Sequence, residues 1–241
     1  MRLFLPCPTC AKDSDGTAYG LPFSESNIYS FRCHRGHEIT VGLVAVRFEV
    51  LFEIGMQALV DGYYREAVMT FSTALERFYE FYVRLIWEAR GIDAATRKDL
   101  WGQVAKQSER QLGLFAATFL LDTGQMPPLL PQTMVSLRND LVHKGDITDQ
   151  ASATTFGQVV ADLVHPALHE AVGKHKEAAA TMHRQHCENV LAAHGRRPAD
   201  FAWWAEAFPV SRVRADKDPI NVAAEVQRRV RRDRGEKPQP I

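Results

Sequence analysis

The stretch from Val46 to Gly91 is compatible with helix almost throughout, and it constrains the fold of this chain more than any other feature. Its apolar residues recur at i, i+3, i+4 and i+7, which is the spacing of an amphipathic helix. The pair Asp61 and Gly62 interrupts the pattern, so we predict one helix over 46–60 and a second from Tyr63 to Arg90, ended by Gly91. Such helices bury their apolar faces against further helices, which predicts a mainly α fold.

Four more helical segments are expected after this pair. They cover 94–107, 110–124, 132–144 and 151–193, the last with a kink at Pro166. The segment MPPLLP separates the second from the third, because prolines remove backbone donors and restrict the residues before them. No strand is predicted after residue 45. The expected fold is therefore mainly α, a bundle of four to five main helices with a small N-terminal β module.

The composition is that of a soluble globular protein, with 241 residues, 46% of them hydrophobic and 24% charged. The 29 basic residues balance the 29 acidic residues, so the overall charge argues against capture of nucleic acid or an anionic membrane, while a local basic patch stays open. No apolar run reaches the roughly 20 residues that a membrane span needs. The N-terminus lacks the apolar core of a signal peptide, so a cytoplasmic protein with reduced thiols is expected.

Two pairs of metal-ligand side chains lie near the N-terminus. Cys7 and Cys10 belong to CPTC, and Cys33 and His37 belong to FRCHRGHE. Two ligands a few residues apart can face one ion from a tight turn, and a second pair completes a tetrahedron. Thiolate and imidazole ligands suit Zn²⁺. Four protein ligands leave no open coordination position, so the pattern predicts a structural zinc ion.

The fourth ligand has two candidates at this point. His34 competes with His37, and His37 is preferred because Gly36 can make the turn between two ligands. With its CxxC and CxxxH knuckles and short β-prone pieces, the segment 1–42 resembles a zinc ribbon. The alternative is a small β piece whose cysteines are buried without a metal. Cys187 lies far away in the sequence and is expected to be an ordinary helix residue.

The segment SLRNDLVHKGD crowds polar groups at the end of a predicted helix. Arg138, Asn139 and His143 lie in it, and Asn139 and His143 are four residues apart, on one helix face. A histidine can move the proton when a 2′-hydroxyl attacks the adjacent phosphate, and a guanidinium can stabilise charge on phosphate oxygens. An amide can position the phosphate or orient the histidine. On spacing alone, the favoured interpretation is a partly exposed helix face whose C-terminal histidine is stabilised by the helix dipole.

In its helical context, RNDLVH resembles the HEPN superfamily, whose members carry Arg, four to six residues and His in a late helix of a bundle. The resemblance covers roughly residues 45–180, including the long helix after GYY. It implies a homodimer in which two motifs face each other and cleave RNA without a metal, often in toxin–antitoxin or phage-defence systems. By this resemblance His143 is the acid/base, Arg138 binds phosphate and Asn139 supports them. Glu76 on the long helix is a secondary candidate, as a partner of Arg138.

One departure from the family pattern concerns regulation. Some toxins of this family carry a tyrosine two residues beyond the histidine, where an antitoxin modifies it. Here Lys144, Gly145 and Asp146 follow His143, which argues against control by that route. An antitoxin or another regulatory protein is still an expected partner. The alternative function is a non-catalytic module that binds RNA, a nucleotide or a protein partner.

The tail differs in composition from the bundle. We expect three parts, a zinc ribbon over 1–42, the helical bundle over 43–195 and an aromatic and basic tail over 196–241. Trp203 and Trp204 are expected to pack on the bundle or on a partner chain. From Val210 onward nine Lys and Arg residues face five acidic residues, which suits contact with phosphates or an ordinary solvated chain end.

Overall fold

The structure is a computed structural model that describes residues 2–193, 195, 202–204 and 220–233. It is mainly helical with a small N-terminal β region, as predicted. The helices are α1 Pro8–Ala11, α2 Arg47–Val60, α3 Tyr64–Ala89, α4 Ala94–Val104, α5 Ser108–Thr123, α6 Gln132–Asn139, α7 Gln150–Lys174, α8 Lys176–Ala192 and α9 Val222–Asp233, and a π-helical turn spans Asp140–Lys144. The strands are β1 Leu3–Pro6, β2 Ala18–Leu21, β3 Ile28–Arg32, β4 Glu38–Leu43 and β5 Ala202–Trp204.

The helix α3 lies at the centre of the helical body and packs against α2, α5, α7 and α8. Its apolar face follows the predicted spacing, and Phe71, Phe78 and Tyr82 are fully buried. Phe115 of α5 inserts among these rings and stacks on Tyr79 with 4.3 Å between ring centroids. No helix in the described part of the chain is both long enough and apolar enough to cross a membrane.

Phe71 is held between two glycines of neighbouring helices. A Cβ atom placed on Gly55 of α2 would lie 2.7 Å from one edge of the Phe71 ring, and a Cβ on Gly157 of α7 would lie 2.7 Å from the opposite edge. Both distances are shorter than van der Waals contact, so the ring has no room to withdraw from either side. The two glycines therefore set how closely α2 and α7 approach α3.

Replacing Gly157 by alanine is expected to lower the free energy of unfolding by about 1–3 kcal/mol, because the added methyl group overpacks the Phe71 ring. Gly113 of α5 is the matched control, since a Cβ there meets nothing within 4 Å. Alanine at Gly113 should instead stabilise the protein by about 0.5–1 kcal/mol, as in an open helix interior. Urea unfolding measures both changes in the free energy of unfolding. Equal effects of the two substitutions would contradict the tight packing of Phe71 against Gly157.

The predicted helix over 151–193 is two helices, and the break between them lies at His175, not at Pro166, where a kink was expected. The helix α7 continues through Pro166 and ends before His175, where the backbone leaves helical geometry with φ −116° and ψ 48°. At this point the His175 Nε2 atom and the Lys174 Nζ atom each lie 3.0 Å from Oδ1 of the buried Asp122 of α5. Burial raises the pKa of Asp122, but the hydrogen bonds from Lys174 and His175 outweigh it, so its pKa lies below the usual value. A tertiary contact therefore places the break.

The expectation of no strand after residue 45 is wrong for the tail. The backbone of β5 pairs in parallel with β4, with Val41 opposite Ala202 and Leu43 opposite Trp204. This pairing was not predicted because a three-residue strand has no periodicity of its own. The side chains of Trp203 and Trp204 lie outside the described residues.

The helix α9 docks on α2 through a buried ion pair. Arg229 contacts Glu53 of α2 with both terminal nitrogens, one of them 2.8 Å from Glu53 Oε2, and its Nε donates to Glu225 at 2.8 Å. The exposed Arg228 is also paired with Glu225. Part of the basic segment is therefore used inside the fold, and the rest of the predicted phosphate-contacting end lies mostly outside the described residues.

The N-terminal β region consists of two small antiparallel hairpins. In the first, β1 pairs with β2, and in the second, β3 pairs with β4. Leu5, Tyr29 and Leu43 from these strands form a small apolar core together with Val50 of α2. The β region is therefore packed directly on the first long helix.

Candidate functional site

The four predicted metal ligands are brought together by two tight turns. Cys7 precedes the single turn α1, which carries the buried Cys10. Cys33 and His37 lie in the turn between β3 and β4, where the Cys33 N–H donates to the His37 carbonyl at 3.0 Å and the Gly36 N–H donates to the Cys33 carbonyl at 2.9 Å. Gly36 has a φ of +83°, so the prediction that this glycine makes the turn is confirmed.

The distances between donor atoms fit a tetrahedral ion. The His37 Nδ1 atom lies 3.4 Å from the sulfurs of Cys10 and Cys33 and 3.8 Å from that of Cys7, and the Cys10 and Cys33 sulfurs are 3.7 Å apart. Ligands bonded at about 2.0–2.3 Å in a tetrahedron are about 3.5–3.8 Å apart. A disulfide requires about 2.05 Å. All four donor atoms lie within 4.8 Å of one another, so this group can hold a metal ion.

The ionisation of the thiols also favours a cation at this position. Burial and the neighbouring thiols of Cys7 and Cys33 raise the pKa of Cys10 to about 12. Burial acts in the same direction on Cys7, but hydrogen bonds from the Cys10 backbone and from His37 lower the pKa of Cys7 to about 6. Without a cation, burial and mutual repulsion disfavour ionisation of all three thiols together, and a bound metal stabilises the thiolates.

His34, the alternative fourth ligand, faces away from the thiols. Its Nδ1 lies 2.6 Å from the Tyr19 hydroxyl oxygen, which also accepts the His34 backbone N–H at 2.9 Å. Its Nε2 lies 3.2 Å from Asp15 Oδ2, and Arg35 pairs with Asp15 and with Asp13. These contacts tie the loop after the first ligand pair to the turn of the second. Sequence reasoning missed them, because nothing in the spacing of these residues indicates that they meet.

The RNDLVH motif lies where α6 ends beside α3. Arg138 Nη1 donates to Asn139 Oδ1 at 3.1 Å, and Arg138 Nη2 lies 3.6 Å from Glu76 Oε1 of α3. The Arg138 and Glu76 side chains are 31% and 29% exposed, so the pair lies at the surface and is open to solvent. The predicted pairing of Glu76 with Arg138 is confirmed.

The backbone of the motif departs from the expected helix over 132–144. The α-helix ends at Asn139, and Asp140–Lys144 form a π-helical turn in which the Gly145 N–H donates to the Asp140 carbonyl, five residues back. Arg65 of α3 donates to the carbonyl of the buried Leu141 at 3.2 Å and so fixes the turn on the body. Single π turns inside helices occur frequently at functional sites.

The π turn changes the direction of His143. In a continuous α-helix, residues five apart point about 140° away from each other. The π turn begins at Asp140, after Arg138, and its wider i→i+5 ring rotates His143 away from the position it would have in a continuous α-helix. His143 is exposed and forms no hydrogen bond or ion pair within the described part of the chain. The structure therefore brings Arg138, Asn139 and Glu76 into contact and leaves the imidazole open to a ligand.

Comparison of the chain with known protein families, with curated proteins and with solved structures finds no match in any of the three.

Proposed function

We propose that this protein is a metal-independent HEPN endoribonuclease that cleaves RNA through attack by the 2′-hydroxyl. The observation that carries the proposal is the arrangement around the π turn. Glu76 and Asn139 hold the Arg138 guanidinium at the surface, and His143 lies exposed in the π turn that directly follows. A fixed guanidinium and an exposed imidazole in one short motif are the groups that phosphate transesterification requires, one to stabilise charge and the other to transfer a proton.

In the proposed reaction, the 2′-oxygen forms a bond to the adjacent phosphorus and the bond from phosphorus to the 5′-oxygen breaks. One imidazole takes the proton of the 2′-hydroxyl, and an imidazolium gives a proton to the leaving 5′-oxygen. Each motif holds one histidine, so a homodimer with two facing copies of His143 supplies both the base and the acid. Arg138 stabilises the charge on the non-bridging phosphate oxygens.

We further propose that Cys7, Cys10, Cys33 and His37 bind one Zn²⁺ with a structural role. Three sulfurs and one nitrogen at tetrahedral distances are a donor set that zinc prefers, and they leave no position for a reactive water. The ribbon then serves recognition of the RNA target or of an antitoxin or regulatory protein. The setting we propose is a toxin–antitoxin or phage-defence system in the cytoplasm.

A second candidate function is a non-catalytic module that binds RNA, a nucleotide or a protein partner. It is favoured by the observation that, among described side chains, none orients His143 by a hydrogen bond. The RNDLVH cluster would then bind phosphate through Arg138 or stabilise a dimer.

The two functions are separated by the products formed from a labelled RNA in the presence of EDTA. The proposed nuclease yields fragments that end in 2′,3′-cyclic phosphate and 5′-hydroxyl groups, and its mass in solution is that of a dimer. Binding without fragments supports the second function. If the protein neither binds nor cleaves the RNA, both functions are excluded.

The contacts of Tyr19 give a prediction for the metal site. Replacing Tyr19 by phenylalanine removes its hydrogen bonds to the ring and backbone of His34, which directly follows the ligand Cys33, and should speed release of the bound metal about tenfold, the lower end of the effect of groups that orient ligands directly. Transfer of the metal to a chromogenic chelator measures the rate. The control is Tyr63→Phe, since Tyr63 is exposed and distant from the ligands in the chain. Equal release rates for the two variants would contradict this role of Tyr19.

A further inference from the structure

A cavity of about 510 Å³ lies between α3 and α8, away from both sites described above. Its apolar lining comes from Val46 before α2, Phe81 of α3, Val172 of α7 and Met182 of α8. The volume falls in the range of small-molecule sites, roughly 300–1,000 Å³. The cavity therefore offers an apolar surface to a compact organic molecule.

The polar lining of this cavity carries basic groups. Arg84 of α3 and Lys176, His183 and His186 of α8 contribute to it, with Asn189 as a further donor. Among the described lining residues there is no carboxylate. A ligand with a negative charge is therefore favoured over a neutral or cationic ligand.

Arg84 is fixed in place and its charge is only partly neutralised. Glu80 lies 2.8 Å from Arg84 and 2.5 Å from Arg77, so one carboxylate is shared by two guanidinium groups. The Arg84 guanidinium also lies over the Trp101 ring at 5.2 Å from the centroid, which restricts its orientation. Arg77, Arg84 and Glu80 together therefore carry a net positive charge at the edge of the cavity.

The start of α8 also borders the cavity. His175 at its N-cap position forms no side-chain capping hydrogen bond to the backbone of the first turn, and Lys176 and Ala179 of that turn line the cavity. The N-terminus of a helix carries unsatisfied N–H groups and a partial positive charge, which favour an anion. Glu177 lies in the same turn and the C-terminus of α7 ends at the same His175, so both offset the charge of this helix end, and the preference for an anion rests on the basic side chains.

We propose that this cavity is a binding site for a small organic anion, with an apolar body against Phe81 and Met182 and one acidic group between Arg84 and Lys176. The acidic group is a carboxylate, sulfonate or phosphate, since a guanidinium and an ammonium bind each of them. The site is independent of the metal cluster and of the RNDLVH motif.

Fluorescence titration with 8-anilinonaphthalene-1-sulfonate tests the site, since this probe joins an apolar body to one anionic group. We expect saturable binding of one probe per chain, and at least tenfold weaker binding of the uncharged N-phenyl-1-naphthylamine. Lys176→Glu reverses a charge at the cavity and should weaken binding of the sulfonate at least tenfold, and Ala180→Trp should block the cavity. The control is Lys106→Glu, an exposed lysine outside the cavity, which should leave the affinity unchanged.

The folding of each variant is checked by its thermal unfolding curve. Lys176 is exposed in the first turn of α8, where a glutamate is favourable, so this variant is expected to keep its fold. Equal affinities for Lys176→Glu and Lys106→Glu, or equal affinities for the charged and uncharged probes, would overturn the proposal. Several probes bound per chain would also overturn it, since that result indicates general binding to exposed apolar surface.

Discussion

Replacing His143 by alanine is expected to lower the rate of RNA cleavage about 10²- to 10⁴-fold, which is the usual contribution of a general acid or base. In a homodimer the substitution removes both imidazoles, so we expect a loss near the upper end of this range, about 10⁴-fold. Arg138→Ala should lower the rate about 10²- to 10³-fold, because the charge that develops on the phosphate loses its stabilising cation. Multiple-turnover assays at saturating RNA measure both effects.

Two substitutions serve as controls for these variants. His183→Ala removes an exposed histidine of α8, and Arg90→Ala removes an exposed arginine after α3, both outside the motif. Each should leave cleavage within about twofold of the wild type. His143 is exposed, so its loss should change the free energy of unfolding by less than about 0.5 kcal/mol. Wild-type rates in both His143→Ala and Arg138→Ala would exclude this motif as the active site.

Replacing Cys33 by serine is expected to release the metal and unfold the N-terminal hairpins. Cys33 is buried and its sulfur lies 3.4 Å from His37 Nδ1 and 3.7 Å from the Cys10 sulfur, so one substitution opens the tetrahedron. Structural zinc sites contribute about 10–16 kcal/mol of apparent binding free energy at neutral pH, which exceeds the stability of a small β region. Elemental analysis of the purified wild type should find about one zinc ion per chain.

The control for this substitution is Cys187→Ser, since Cys187 lies on α8 outside the cluster. It should keep the full metal content. Less than about half an equivalent of zinc in the wild type, or an unchanged metal content in Cys33→Ser, would contradict the proposed zinc site. Brief treatment with EDTA should leave RNA cleavage unaffected, because the metal takes no part in the proposed reaction.

The helices of the core were predictable because the sequence signals for each helix lie within that helix or at its ends. The apolar spacing along α3 and the glycines at 62 and 91 place two helices with errors of a residue or two, since each pattern reflects one helix face or one helix end. The break at His175 was not predictable, because it depends on the buried Asp122 of a different helix. The pairing of Ala202–Trp204 with β4 depends in the same way on a partner strand far away in the chain.

In the candidate sites, too, features set by residues close in the chain were predictable, and features set by distant contacts were not. The spacing of the cysteines with Gly36 predicted the metal cluster, because each pair of ligands lies in one short turn. The π turn at the RNDLVH motif was not predictable from spacing, because it depends on the contact between Arg65 and the Leu141 carbonyl. Sequence reasoning therefore found the residues of the motif and missed the backbone geometry that orients them.

In the proposed reaction, the nucleophile is the 2′-hydroxyl of the RNA. The most direct measurement uses an RNA that the protein cleaves, synthesised again with a single 2′-deoxy nucleotide on the 5′ side of the cleaved phosphate. We predict that cleavage at that bond disappears, while cleavage at any other site in the same RNA continues and leaves 2′,3′-cyclic phosphate ends. Continued cleavage at the substituted position would rule out attack by the 2′-hydroxyl, because the nucleophile would then be water or a side chain of the protein.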